Sequence, residues 1–196
     1  MHDEHLPLQH VQIGEDLGPG LTVSSLGADS WVVAAATRAA LLAHRSSVVS
    51  ADLIRPGDEL EEVARRQLPR TLALAPHVVT LLLWPRPHAR GTWNALRYAT
   101  QLRQIVHELL PVANVIITGC PPSTPHVTPR DQAALNAWLA DLAGLPGVTL
   151  LHPWTAIAAS TSVWMPDGLS LTPAAAQQLG TVIGMTAVRT LQPKHA

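Results

Sequence analysis

The stretch Val11-Gln12-Ile13-Gly14-Glu15-Asp16-Leu17-Gly18-Pro19-Gly20-Leu21 decides the fold predicted for this chain. A short apolar run ends at Gly14, and two carboxylates, Glu15 and Asp16, follow at once. The Gly-Pro-Gly segment then leads toward an alanine-rich helix. A strand that ends in a tight turn presents the next residues at the carboxyl edge of a sheet, where open α/β folds bind their ligands. The stretch therefore predicts a first strand followed directly by a candidate site.

Length and composition favour one globular domain. The 196 residues are 47% apolar, enough for a substantial core, and no apolar run reaches the roughly 20 residues that span a bilayer. We expect an N-terminal arm over 1–9, one domain over 10–191 and a C-terminal tail over 192–196. The start of the chain lacks the basic and apolar segments of a signal peptide, and the single cysteine, Cys120, excludes an internal disulfide. These features predict a cytoplasmic protein.

The charge distribution excludes two classes of partner. The formal net charge is −1, the isoelectric point is near 6.8, and the basic residues form no stripe. Nucleic acids and anionic membranes are therefore poor candidates. The six tryptophans are expected to pack the core more often than to line a pocket.

Predicted strands and helices alternate along the chain. The predicted strands are 10–14, 46–51, 77–84, 113–119 and 147–152. The predicted helices are 31–42, 59–66, 92–110, 129–143, 154–160 and 172–190, and the charges of the second are interpreted as a solvated face. The run from His77 to Trp84 is continuously apolar, which is typical of strands covered on both faces. The alternation predicts right-handed crossovers and a three-layer α/β/α sandwich with a five-stranded parallel sheet.

Several blocks, in the right order, resemble the SGNH (GDSL) hydrolases. Residues 14–20, Gly-Glu-Asp-Leu-Gly-Pro-Gly, are similar to the family's Gly-Asp-Ser-Leu-x-x-Gly, and residues 76–83 resemble the strand before its third block. Residues 135–139 resemble its Asn-containing helix. Residues 167–173, Asp-Gly-Leu-Ser-Leu-Thr-Pro, are close to the last block, Asp-Gly-x-His-Leu-Thr-Pro. The resemblance covers about residues 10–191 and implies the family's fold, with the flavodoxin-like strand order 2-1-3-4-5.

The positions that would carry out hydrolysis depart from the family's pattern. The nucleophilic serine position is held by Asp16 and the histidine position by Ser170, so that only Asp167 of the triad is retained. The third block, normally Gly-x-Asn-Asp, is replaced by Trp84-Pro85-Arg86-Pro87. The resemblance therefore implies the scaffold of a hydrolase without its catalytic residues.

These changes remove the chemistry of acyl transfer. A carboxylate that attacked an ester would form an anhydride, and the hydroxyl of Ser170 cannot act as a general base. Two prolines remove backbone donors from the third-block loop, and the second-block glycine corresponds to Ala51 or, after a small insertion, to Gly57. Losing one oxyanion donor alone costs about 10² to 10³ in rate. We expect no conventional Ser-His-Asp esterase or lipase.

Three interpretations of the altered site remain open. In the first, Glu15, Asp16, Asp167 and Ser170 are structural remnants, the last three at the degenerate triad positions. In the second, carboxylates and a loop histidine form a rewired acid-base site, because like charges in a partly dry pocket push their pKa values apart. In the third, Glu15, Asp16, Asp167 and a histidine bind a metal. The sequence has no His-x-His or His-x-x-x-His spacing, and we expect no metal and no cofactor.

The residues expected to contact a ligand lie in predicted loops at the carboxyl edge of the sheet: Glu15, Trp84, Arg86, His88 and His126. His152, at the end of the fifth predicted strand, points to the same edge. In a loop over the pocket, Arg86 and Arg90 would be able to clamp a carboxylate, phosphate or sulfate; the alternative, ordinary exposure to solvent, is the expectation for either one alone. Cys120 is interpreted as a buried, inert thiol. Four histidines are expected to be terminal residues outside the site: His2, His5, His10 and His195.

We interpret the chain as a degenerate SGNH-like protein, a pseudo-enzyme that binds a small ligand or supports a partner enzyme, in bacterial biosynthesis. The alternative is a repurposed enzyme of the same fold with a carboxylate-based site, in which Asp16 takes the place of the serine nucleophile. The expected partners are a small molecule or another enzyme, and a homo- or hetero-oligomer remains open.

Overall fold

The computed structural model describes residues 6–15, 30–45, 47–55, 57–83, 94–119, 129–165 and 171–191. These residues form a parallel sheet with the order β2-β1-β3-β4-β5. Its strands are β1 (Leu8–Gly14), β2 (Val48–Asp52), β3 (Val78–Leu82), β4 (Asn114–Thr118) and β5 (Val148–Leu151). The predicted strand order is confirmed.

Helices follow each strand in the described part of the chain. They are α1 (Ser30–Leu42), α2 (Leu60–Glu62), α3 (Leu68–Leu74), α4 (Ala95–Leu109), α5 (Pro129–Ala143), α6 (Trp154–Ser160) and α7 (Pro173–Thr190). A π-helical turn (Val63–Gln67) joins α2 to α3. The start of α7 is fixed by a side-chain cap, because the hydroxyl of Thr172 accepts a hydrogen bond from the backbone N–H of Ala175 at 3.1 Å. None of these helices is both long and apolar enough to cross a bilayer.

Successive residues of each strand face two different helical layers. One layer contains the π-helical segment, α4 and α5, whose apolar residues share a core with Val11, Ile13 and Leu81 of the sheet. The other contains α1 and α7, which pack on the opposite face against residues such as Leu8 and Val78. The three-layer sandwich is therefore confirmed, and each face of the sheet has its own core.

The helices α1 and α7 lie in close contact. A Cβ added at Gly180 of α7 would lie 2.3 Å from the backbone oxygen of Val33 and 2.7 Å from the Cβ of Ala36. The hydroxyl of Thr37 donates a hydrogen bond to the backbone oxygen of Gly180 at 3.1 Å. Glycine is thus required here by the approach of the two helices.

The helical segment after β2 is longer than predicted. The sequence predicts a helix over 59–66, whereas the segment continues through α3 to Leu74. Pro69 does not break it, because this proline lies in the first turn of α3, where a missing N–H is tolerated.

His10 corrects the prediction that it is a terminal residue. β1 begins at Leu8, and His10 lies inside the sheet with a relative exposure of 1%. Its Nδ1 lies 3.2 Å from the hydroxyl of Ser50 and its Nε2 lies 2.9 Å from the hydroxyl of Thr80. Burial lowers the pKa of His10 to about 4. Four residues of strand, about 13 Å, separate it from the carboxyl edge, so this imidazole–hydroxyl pair belongs to the core.

The tryptophans divide between core and surface. Trp154 is buried, as expected, and Trp138 packs against the core as a partly buried side chain. Trp31, in the first turn of α1, is instead 64% exposed. The expectation of core packing is therefore wrong for Trp31.

Candidate functional site

The site predicted from the sequence lies only partly within the described residues. Seven of its residues lie outside them: Asp16, Trp84, Arg86, His88, His126, Asp167 and Ser170. Arg90 and Cys120 also lie outside. Glu15 and His152 are described, together with the ends of all five strands.

β1 ends against β3 at a distance that only glycine permits. Gly14 has a φ of 140°, and a Cβ there would lie 2.1 Å from the backbone oxygen of Leu82. The backbone N–H of Glu15 donates to the same oxygen at 3.0 Å. The first strand thus stays hydrogen-bonded to β3 up to the residue before Asp16.

The side-chain amide of Gln67 holds both backbone groups of Gly14. Its Oε1 accepts from the Gly14 N–H at 2.8 Å, and its Nε2 donates to the Gly14 carbonyl oxygen at 2.9 Å. The same Nε2 donates to Oδ2 of Asp58 at 2.8 Å. Gln67 is fully buried, so a buried side chain of the π-helical turn fixes the backbone of Gly14 at the carboxyl end of β1.

A partly buried ion pair between Asp58 and Arg66 connects the contacts of Gln67 to β2. Asp58 Oδ2 accepts from the guanidinium of Arg66 and, at 2.7 Å, from the backbone N–H of Arg55. Arg66 also donates to the backbone oxygen of Leu53 at 3.2 Å. The side chains of Asp58 and Arg66 are only 7% and 15% exposed. One hydrogen-bond network therefore holds the backbone at the carboxyl end of β1 and directly after β2.

The prediction of a solvated charged face on this segment is correct for some residues only. Arg65 and Glu62 form an exposed ion pair at 2.7 Å, as a solvated face requires. Arg66 instead points inward to Asp58, and that part of the prediction is wrong. The inward direction follows from the buried carboxylate, which needs a charged donor.

Glu15 is buried against α4. It is 4% exposed, and its Oε2 accepts a hydrogen bond from the phenol of Tyr98 at 2.6 Å. The protein thus holds this carboxylate from the side of the α4 layer.

Asp52 is the last residue of β2. Its carboxylate contacts Ser30, the first residue of α1. Its Oδ2 accepts from the hydroxyl of Ser30 at 2.9 Å and its Oδ1 from the backbone N–H of Ile54 at 3.2 Å. Burial raises the pKa of Asp52, and the charge of Asp58 adds to this, while the hydrogen bonds oppose it. The neighbouring Gln12 donates through Nε2 to the backbone oxygen of Ser30 at 3.0 Å, but its buried Oε1 has no hydrogen-bond partner among the residues that the structure describes.

The two candidates for the second-block glycine occupy different places. Ala51 lies inside β2, paired with Val11 and packed against the core. Gly57 lies beyond the strand with a φ of 82°. Of the two, only Gly57 is in the loop at the carboxyl edge.

Among the described histidines, only His152 lies at the carboxyl edge. Its side chain is exposed, and its ring lies against Gly119, where a Cβ would be 2.4 Å from Nδ1. Trp154 donates to the Gly119 carbonyl oxygen at 2.6 Å. Three strand spacings, about 14 Å, separate β5 from β1. Glu15 and His152 therefore do not form a direct acid–base pair.

No group of three or more His, Cys, Asp or Glu side chains suited to a metal ion occurs in the described part of the chain. The three carboxylates near the ends of β1 and β2, Glu15, Asp52 and Asp58, each receive hydrogen bonds from the protein. They act as fixed partners for backbone and side-chain donors.

Sequence reasoning missed four residues of this arrangement: Asp58, Arg66, Gln67 and Tyr98. One signal was available for Asp58, since a carboxylate directly after Pro-Gly often caps or bridges a turn. Gln67 and Tyr98 carried no such signal, because their partners, Gly14 and Glu15, lie far away in the chain.

No family model matches the sequence, and no curated protein matches it. Solved structures do match. The lipase/acylhydrolase from Enterococcus faecalis has a TM-score of 0.76 and 16% identity, over 96% of this chain and all (100%) of that one. TesA has a TM-score of 0.72 and 18% identity, over 94% and 98% of the two chains.

An acetylxylan esterase also matches over nearly its whole length. A catalytic mutant of Axe2, from Geobacillus stearothermophilus, has a TM-score of 0.69 and 12% identity, over 96% of this chain and 99% of that one. At these identities the likeness concerns the fold. With the observed strand order and its two helical layers, this chain has the fold of the SGNH hydrolases.

Proposed function

We propose that this protein is a non-hydrolytic SGNH-like protein that binds a small ligand at the carboxyl edge of its sheet. The observation that carries the proposal is the pair of residues at the nucleophile and base positions, Asp16 and Ser170. Neither residue performs the step that its counterpart performs in a Ser-His-Asp triad. The scaffold is that of an esterase, and the reaction is absent.

The similarity to Axe2 supports this interpretation. A catalytic mutant of that esterase carries alanine in place of a serine. In the present chain the nucleophilic serine position is also occupied by another residue, Asp16. Replacing the histidine as well removes nucleophile and base together, and such losses act as a unit.

The construction of the strand exits supports a binding role. Gly14 is held by Gln67, and Glu15 is held by Tyr98. Side chains fixed by packing and hydrogen bonds before a ligand arrives lose little entropy when it binds. The carboxyl edge is thus suited to hold a ligand in one orientation.

Hydrolysis and binding are tested together with a matched pair of variants. We expect p-nitrophenyl acetate and butyrate to be hydrolysed at the same background rate by the wild type, Asp16→Ala and Asp141→Ala. Asp141 is exposed on α5 and serves as the control. Native mass spectrometry of the purified protein, followed by thermal shift with the ligand found, should show binding that Asp16→Ala weakens and Asp141→Ala leaves unchanged. A hydrolysis rate that falls only in Asp16→Ala contradicts the proposal.

Support of a partner enzyme is a second form of the same non-hydrolytic role. It has a separate readout, since a partner should remain attached to the tagged protein through purification from its native cells. A protein that carries neither ligand nor partner contradicts both forms.

One observation favours the alternative, a repurposed enzyme with a carboxylate-based site. Burial raises the pKa of Asp52 at the end of β2, and shifted carboxyls of this kind are common in active sites. Both oxygens of Asp52 already accept hydrogen bonds, which argues for a structural role. A reaction that Asp16→Asn abolishes while ligand affinity persists would establish the alternative.

A further inference from the structure

Gln67 makes a set of contacts that ligand binding by itself does not explain. Its amide is fully buried and makes three hydrogen bonds, of 2.8, 2.9 and 2.8 Å, to the two backbone groups of Gly14 and to Asp58. No apolar side chain of similar size could replace these bonds. The amide therefore serves a polar role at the exit of β1.

The need for this role follows from Gly14 itself. Only glycine fits beside Leu82, because a Cβ would lie 2.1 Å from the Leu82 oxygen. Glycine is also the residue with the greatest backbone freedom. The Glu15 N–H bond to the Leu82 oxygen restrains the chain on the side of β3, and the Gly14 peptide itself needs a second constraint. The bidentate contact of Gln67 supplies that constraint.

The π-helical turn explains how one helix reaches both strand exits. The backbone N–H of Leu68 bonds to the oxygen of Val63, five residues earlier. Within this turn the adjacent residues Arg66 and Gln67 both donate hydrogen bonds to Asp58. Arg66 also donates to the backbone oxygen of Leu53, and Gln67 also donates to the backbone oxygen of Gly14. Single π-helical turns inside α-helices are rare and occur frequently at functional sites.

We propose that Gln67 is the positioning residue of the candidate site. By fixing the Gly14 peptide it sets the direction in which the chain leaves β1 toward Asp16, two residues further along the sequence. The inference rests on the proposed function, in which Asp16 belongs to the ligand site. Gln67 touches no ligand and acts through the backbone of β1.

A thiol reporter at position 16 tests this role without any ligand. In a Cys120→Ser background, Asp16→Cys introduces a single thiol, whose reaction with Ellman's reagent is followed against pH. We expect Gln67→Leu to change the reaction rate by about threefold or more, or to shift the apparent thiol pKa, because thiol reactivity follows local geometry and charge. The control Gln104→Leu, at an exposed residue of α4, should leave the profile unchanged.

Two further outcomes decide the matter. If Gln67→Leu folds with lowered thermal stability but an unchanged thiol profile, the residue is only structural and the proposal is overturned. If that variant does not fold, Gln67→Glu replaces it, since its side chain keeps the acceptor for the Gly14 N–H and loses the donor. An unchanged profile there also overturns the proposal. Because no ligand enters the assay, a failure to find one for the wild type leaves this result intact.

Discussion

At the scale of single residues, His10 makes the stability of the protein depend on pH. The buried imidazole has a pKa of about 4 in the folded protein, against about 6.5 in the unfolded chain. The unfolded state therefore binds more protons between these values, and stability falls as the pH decreases from about 6.5 to 4. The loss attributable to His10 is about 3 kcal/mol. Urea unfolding at pH 7, 5.5 and 4 measures it.

Substitution isolates this contribution. His10→Gln should remove the pH-dependent part of the loss, because an amide keeps hydrogen-bonding capacity for Ser50 and Thr80 but does not titrate. His107→Gln, at an exposed histidine of α4, is the control and should keep the wild-type slope. If His10→Gln and the wild type lose equal stability between pH 7 and 4, the buried histidine is not the cause.

Substitution by asparagine should change the stability of the protein differently at Asp52 and at Asp58. A raised pKa means that the folded protein disfavours the ionised form of Asp52, so its contribution to stability decreases as the pH rises above about 3.9. Asp52→Asn should remain within about 1 kcal/mol of the wild type at pH 7. Asp58→Asn leaves the partly buried guanidinium of Arg66 without its charge partner and should cost about 3 kcal/mol.

Chemical denaturation at pH 7 compares these two variants directly. Equal costs would show that the ion pair of Asp58 with Arg66 contributes no more than the polar contacts of Asp52. The comparison uses the same substitution at two positions near the carboxyl end of β2, so general effects of removing a negative charge cancel.

At the scale of elements, the contact of α1 with α7 depends on Gly180. Gly180→Ala should destabilise the protein by about 1–3 kcal/mol, because the added methyl group forces the helices apart and strains the bond from Thr37. Gly144→Ala is the control. Within the described part of the chain its Cβ would meet only the Asp141 oxygen, at 3.2 Å, so its effect should lie within about 1 kcal/mol. Thermal unfolding of both variants measures the difference, and a neutral Gly180→Ala would show that the two helices can separate freely.

Most elements of this fold follow from local signals. The bounds of α5 and α6 and the start of α7 agree with the sequence, because proline and capping hydroxyls act on neighbouring backbone groups. The extension of α3 was not predicted, because Pro69 normally marks an end and the π-helical turn before it has no recognised sequence pattern. His10 was missed for a similar reason, since strand alternation alone does not reveal which polar residue is enclosed.

The candidate site was predicted less completely than the fold. The sequence placed Glu15 at the carboxyl edge, and the structure shows it held there by Tyr98. The contacts that hold Gly14 join residues 53 positions apart, a separation over which neither propensity nor periodicity carries information. The hydrolase blocks identified where a site should be, but the side chains that support it come from outside those blocks.

At the scale of the whole molecule, likeness of fold does not by itself carry a reaction with it. The likeness to the Enterococcus faecalis lipase/acylhydrolase extends over 96% of this chain at 16% identity. A fold can therefore persist while the residues at its site change, and function has to be argued from the site. If only the catalytic residues were lost, restoring them should restore some chemistry.

The double variant Asp16→Ser/Ser170→His tests this expectation. It returns a nucleophile and a base to the positions that the family uses, with Asp167 already present in the sequence as the third triad residue, and we expect p-nitrophenyl acetate hydrolysis about tenfold above the wild type. The gain should stay far below that of a natural esterase, because the altered third block, Trp84-Pro85-Arg86-Pro87, lacks an oxyanion donor worth about 10² to 10³ in rate. Asp16→Ser alone is the control and should gain nothing, since a serine without a base is a poor nucleophile. A folded double variant with no gain would mean that the loops, as well as the catalytic residues, have diverged from those of a hydrolase.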